Sequence, residues 1–176
     1  MTSPALVPTF AVAVALCAGF TDVKDRLIPN RLTYSAAVAG FALQGMLHGW
    51  NGLLLSAGGI LLFGGVFLLF YVVRAMGAGD VKLAAALGSI AGFSATRPLM
   101  FATAVAGAAL AMSFMVWSGR LAESWRNTLA IFGFHLRHGL QAHPQFNLDT
   151  PGVRMPYGLA FAAGTLYWAA SMGFWR

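Results

Sequence analysis

Residues 77–118 read GAGDVKLAAALGSIAGFSATRPLMFATAVAGAALAMSFMVWS. An aspartate and a lysine open the stretch, and beyond Lys82 its single formal charge is Arg97. A helix crossing the hydrocarbon core of a bilayer takes about 20 apolar residues. The stretch holds two such runs, 81–96 and 98–118, parted at Arg97. Working outward, comparable runs lie at 53–73, 32–47 and 4–20 upstream and at 155–175 downstream. The pattern predicts an all-α polytopic membrane protein of six transmembrane helices. The run 81–96 is the shortest, and Lys82 at its edge is expected to snorkel to the interface.

Composition agrees. The 176 residues fit one domain, 1–176, and are 59% hydrophobic and 9% charged, against about 25% charged in soluble domains. The net charge of +6 arises from scarce acids: Asp22, Asp25, Asp80, Glu123 and Asp149 face 11 Lys and Arg. With no basic patch interleaved with aromatics, nucleic acid is not an expected partner. The bases are read as topological. The single Cys17 excludes an intramolecular disulfide and a Cys-rich zinc site. It is expected to be a packed small residue, and Leu16 stands where a lipoprotein signal needs a small one. The first 21 residues carry no Lys or Arg and make a poor signal peptide.

Alternating spans put Lys24, Arg26, Arg31, Arg74, Lys82, Arg120, Arg126, Arg137 and Arg154 on one side and Arg97 and Arg176 on the other. Nine against two places the first group in the cytoplasm and both termini outside. All five acids then fall at the cytoplasmic side or its boundary. In the loop 119–154, Leu121, Trp125, Leu129, Phe132, Leu136 and Leu140 form a stripe at helical period. This predicts an amphipathic helix on the membrane surface or docked on the bundle. His135, His138 and His143 show no ligand pattern with nearby acids, so no metal is expected. Ala84, Gly88 and Gly92 lie four apart, and Gly58, Gly59, Gly64 and Gly65 crowd the third run, as in closely packed membrane helices.

Asp22 ends the first run and Asp80 begins the fourth, at matching depth. Each alone is explained by helix capping or by pairing with loop bases. Together, two carboxylates near a membrane boundary share a proton and support acid–base chemistry, including peptide hydrolysis without metal, serine or cysteine. Gly77 and Gly79 would let the backbone turn and approach a substrate strand.

GAGD (77–80) with Lys82 resembles the Gly-x-Gly-Asp motif of intramembrane aspartyl proteases. DVKDRLIPN (22–30) resembles the first catalytic motif of type IV prepilin peptidases, and MPYG (155–158) their late Pro-Tyr/Phe-Gly signature. The motifs occur in that family's order. The resemblance implies a six-helix bundle with Asp22 and Asp80 as catalytic dyad. Gly77, Gly79, Lys82, Pro29, Asn30, Pro156, Tyr157 and Gly158 would form the surrounding loop, with Pro29 and Asn30 shaping the start of the second span. Asp25 is off the motif's acid position and is left as a loop charge.

The resemblance further implies a membrane-bound endopeptidase that removes a basic leader from a prepilin or pseudopilin at the cytoplasmic face of the inner membrane, beside pilus secretion machinery. No cofactor is implied. The chain lacks the paired Cys-x-x-Cys motifs of long members, so methyltransferase activity is not expected. It is similar to the short CpaA/TadV-like form serving Flp pili, and to archaeal preflagellin peptidases. From the residues alone two other readings stay open. One is a small transporter or channel using the aspartates for cations or protons, although no repeated half is visible. The other is a non-catalytic secretion subunit.

The topology is checked by reporter fusions: one after residue 50 is expected to read as outside the cytoplasm and one after residue 135 as inside. The opposite signal at either site removes this order of spans.

Overall fold

The computed structural model describes residues 5–73, 76–119, 126, 129, 130, 133 and 157–172. Apart from those few positions, the loop 119–154 with its expected amphipathic helix lies outside the described residues, as does Pro156. All regular structure among the described residues is helical. Helix α1 is Leu6–Asp25, α2 Asn30–Gly59, α3 Gly65–Val72, α4 Ala78–Trp117 and α5 Tyr157–Ser171; a π-helical turn, Ile60–Gly64, joins α2 to α3. Among the described residues three stretches, Leu6–Asp25, Asn30–Val72 and Ala78–Trp117, are long and apolar enough to cross a membrane.

A straight helix over the 43 residues of Asn30–Val72 would run roughly 65 Å, about twice a hydrocarbon core. The chain instead doubles back within each long stretch, at a glycine. Gly49 has φ 60°, ψ −140° and Gly92 has φ 72°, ψ 162°, backbone that residues with a Cβ rarely adopt. Residues eight apart in a straight helix are about 12 Å apart. Here Thr96 Oγ1 lies 3.4 Å from Gly88 O across Gly92, and a Cβ placed at Gly45 would lie 2.7 Å from Leu53 across Gly49.

The second reversal is not at Arg97, where charge and proline pointed. Pro98 sits inside the helix that resumes after Gly92 and removes one hydrogen bond from it. Nor does Gly92 belong to a regular packing stripe with Ala84 and Gly88; its positive φ takes it out of the helical register.

The first part of α4 is the core. Leu83, Ala84, Ala86, Leu87, Ser89 and Ile90 are fully buried, and no polar face interrupts them, as expected for a helix enclosed on all sides. Small residues bring its neighbours close. Gly59 and Gly88 meet backbone to backbone, and a Cβ at Gly40 would lie 2.7 Å from Ile90 Cγ1. Gly164 of α5 rests on Thr103 of α4. Phe63, Phe67 and Phe161 close one side with ring centroids 5.1–5.8 Å apart.

Some buried polar groups are paired across helices. Ser89 Oγ donates to Ala37 O at 2.8 Å and meets Ser56 Oγ at 2.9 Å. The break at Gly92 leaves Ile90 O without its helical donor, and Gln44 Nε2 supplies one at 2.7 Å. Cys17, expected in the core, is exposed: α1 buries Ala11, Val14, Ala15, Ala18 and Gly19, and Cys17 falls on the opposite face.

Replacing either reversing glycine by alanine is expected to lower the melting midpoint in detergent. The strain at Gly49 is about 1–3 kcal/mol. Gly92→Ala should cost about 1 kcal/mol more, because a Cβ there would lie 3.2 Å from Gln44 Nε2 and disturb its bond to Ile90. A Gly92→Ala chain as stable as the parent would contradict the reversal.

Candidate active site

Three helix ends meet at the site. Asp22 stands in the last turn of α1, where Arg26 closes the helix: its N–H donates to Asp22 O at 2.9 Å. Arg26 takes a left-handed φ of 51°, a place where glycine is usual. The chain then crosses α4 with Ile28 buried, and Pro29, at φ −63°, ψ 131°, leads into α2 at Asn30. The Leu32 and Thr33 N–H groups donate to Pro29 O.

Asp80 lies in the first turn of α4. Its Oδ2 accepts the Gly77 N–H at 3.3 Å, while its own N–H donates to Gly77 O at 3.2 Å. Glycine offers no side chain, so only the carboxylate half of a capping box forms. Asp22 accepts from elsewhere: the Gly158 N–H, in the first turn of α5, donates to Asp22 Oδ2 at 2.7 Å. Both carboxylates thus face helix N-termini, where negative charge is favoured. They are near enough for their charges to act on each other, and the charge of Asp80 also reaches Tyr157. Neither makes a further hydrogen bond or an ion pair among the described residues.

The sequence-predicted residues therefore converge, with two revisions. Gly77 has φ −79°, ψ 153°, which any residue adopts, so no sharp turn requires it. Gly79 gives its space to this chain's own Ile28: a Cβ there would lie 3.3 Å from Ile28 Cβ. Lys82 turns to the α1–α2 connection, donating to Asn30 Oδ1 at 2.8 Å, with its ammonium 5.4 Å from the centre of the Tyr34 ring. Tyr157 and Gly158 sit at the aspartates; Pro156 is outside the described residues. Asp25 is exposed at the end of α1.

Sequence reading missed Ile28 and Tyr34. Tyr34 stands four residues after Asn30 on one helix face, a spacing that could have pointed to it; Ile28 lies within the DVKDRLIPN motif, but nothing local marks its contact with Gly79. No group of three His, Cys, Asp or Glu capable of holding a metal occurs among the described residues. Two neighbouring carboxyl groups are in general able to share one proton.

Residues 9–112 match the type IV leader peptidase family, a span that contains both aspartates, the α1–α2 connection and most of α4. No curated protein and no solved structure matches the chain.

The seating of the α1–α2 connection on α4 is open to a direct check. In a chain with Cys17 replaced by alanine, Ile28→Cys and Gly79→Cys place two Cβ atoms near disulfide distance. Mild oxidation is expected to join them within one chain, seen by mass spectrometry after proteolysis. Two thiols that stay free would put the connection elsewhere.

Proposed function

The chain belongs to the type IV leader peptidase family, and on that premise we propose that it is an aspartic endopeptidase with Asp22 and Asp80 as its catalytic pair. The observation that supports the pairing is convergence: acids 58 positions apart in the sequence stand where the end of α1 and the starts of α4 and α5 come together. The substrate would be a prepilin or pseudopilin, cut between its basic leader and its apolar helix. The charge asymmetry of the loops favours the cytoplasmic face of the inner membrane for this step. Reversals at Gly49 and Gly92 favour six crossings.

On this reading hydrolysis needs only the two carboxyl groups and a water. One carboxylate takes a proton from the water as its oxygen bonds to the scissile carbonyl carbon. The other, protonated, donates to the carbonyl oxygen. A proton then passes to the departing nitrogen as the C–N bond breaks, and the pair returns to its starting state. Lys82, held by Asn30 and over Tyr34, ties α4 to the α1–α2 connection rather than entering the reaction. The transporter and structural-subunit readings have no observation in their favour beyond the presence of the acids.

Asp22→Asn, Asp80→Asn and the double variant are expected to lose cleavage of a purified prepilin in liposomes by similar factors, each about 10³-fold or more. Groups that act as a unit are not additive. Asp25→Asn should keep most activity, and chelators and serine- or cysteine-directed inhibitors should change little. A folded, substrate-binding Asp80→Asn chain that cuts at the parent rate would return Asp80 to a capping role.

A further inference from the structure

The two aspartates are not held alike. The 2.7 Å bond from Gly158 N–H to Asp22 lies at the short, charge-assisted end of such contacts, and the 3.3 Å bond from Gly77 N–H to Asp80 lies beyond the usual range. The donors also differ in origin. Gly77 immediately precedes Asp80's own helix, so that contact forms with α4. Gly158 comes from α5, 136 positions away, where the first-turn N–H has no intrahelical acceptor and the helix dipole presents its positive end.

Only glycine fits there. A Cβ at 158 would lie 2.7 Å from Asp22 Cβ, 2.9 Å from Asp22 Oδ2 and 3.1 Å from Ala18 O. The contact is reciprocal, since a Cβ at Gly19 would lie 3.1 Å from Gly158 O. Two glycines thus bring α1 and α5 together backbone to backbone, beside the turn that carries Asp22.

We propose that Gly158 is a positioning residue whose backbone N–H fixes Asp22 as a carboxylate, making Asp22 the base that deprotonates water and Asp80 the acid that protonates the scissile carbonyl oxygen. This rests on reading the two aspartates as a catalytic pair and adds the division of labour. Asp22 takes the water proton as the C–O bond forms, and Asp80 gives its proton to the carbonyl oxygen. On collapse, Asp22 passes its proton to the leaving nitrogen, and Asp80 recovers one from the hydroxyl that becomes the new carboxyl group.

Among the described residues, the titratable and charged groups at the helix ends that meet around Asp22 are Asp80 and Lys82 on α4, Tyr157 on α5, Arg31 and Tyr34 on α2, and Lys24, Asp25 and Arg26 at its own helix end. Of the cations, Lys82 is engaged with Asn30, and Lys24, Arg26 and Arg31 are exposed. Among the described residues the backbone donor is therefore the direct hydrogen-bond partner of the Asp22 carboxylate.

The test is the pH dependence of kcat for prepilin cleavage, in the parent, in Gly158→Ala, and in a chain whose 158 N–H is replaced by an ester oxygen in a ligated synthetic C-terminal segment. The ester removes the donor and adds no side chain, so it decides the matter if Gly158→Ala does not fold. Without the donor the carboxylate of Asp22 loses a hydrogen bond that only its charged form receives in full. The acidic limb should therefore move up by about one to two pH units, with KM little changed and the basic limb in place. A purely structural Gly158 would reduce the folded fraction and leave both limbs where they were, which would overturn the proposal. Movement of the basic limb alone would reverse the two roles and overturn it equally. Unimpaired cleavage by Asp22→Asn would instead remove the catalytic pair itself. Loss of cleavage by Asp22→Asn, with a parental profile in the ester chain, would refute only the role of Gly158.

Discussion

The enclosure of α4's first segment is the constraint on which the remaining structure depends. Leu83, Leu87 and Ile90 have no exposed surface, so every neighbouring helix must find a face of this segment to pack on. Small residues decide how near each comes. The Gly59–Gly88 contact lets two main chains touch, and Gly40 admits Ile90. In lipid, where apolar side chains gain little by leaving their surroundings, close packing and interhelical hydrogen bonds supply most of the association energy. The Ser56–Ser89–Ala37 contacts belong to the same economy. Because the segment is fixed on all sides, its N-terminus is fixed too, and with it Asp80.

That fixed end organises the other motif. Ile28 fills the space that Gly79 leaves, and Lys82 reaches Asn30, so the connection between α1 and α2 is laid across the start of α4. Asp22, just before that connection, is carried to the same place. Helix α5 completes the arrangement by resting on α4 through Gly164 and delivering its first-turn N–H to Asp22. The matched family region ends at residue 112, before α5 begins. The described partner of Asp22 therefore comes from outside that region.

The helical, apolar character and the positions of both aspartates were legible because charge is so scarce here that each acid stands out, and because the motifs keep their order. The first reversal was legible as well: Gly49 lies in the gap between apolar runs 32–47 and 53–73. The second was misplaced. Arg97 and Pro98 are louder signals than Gly92, and a glycine read at four-residue spacing looks like packing until its φ of 72° is known. Gly77 and Gly79 were read as room for a substrate strand. Their actual neighbours, Asp80 and Ile28, are set by tertiary contact, which no local pattern encodes. The outward placement of Cys17 has the same cause, since a uniformly apolar helix does not announce which face it buries.

Capping and catalysis were competing readings of each aspartate, and the observed caps are compatible with the proposed catalytic one. Each carboxylate gives one oxygen, Oδ2, to a backbone N–H at a helix N-terminus. The other oxygen of each is without a hydrogen bond among the described residues. A cap of this kind spends only part of a carboxylate's acceptor capacity and holds the group still while it does so. Immobilising the reacting groups beforehand is what acid–base chemistry between two side chains requires. The same N–H bonds at the starts of α4 and α5 therefore leave one oxygen of each carboxylate open for the proposed chemistry.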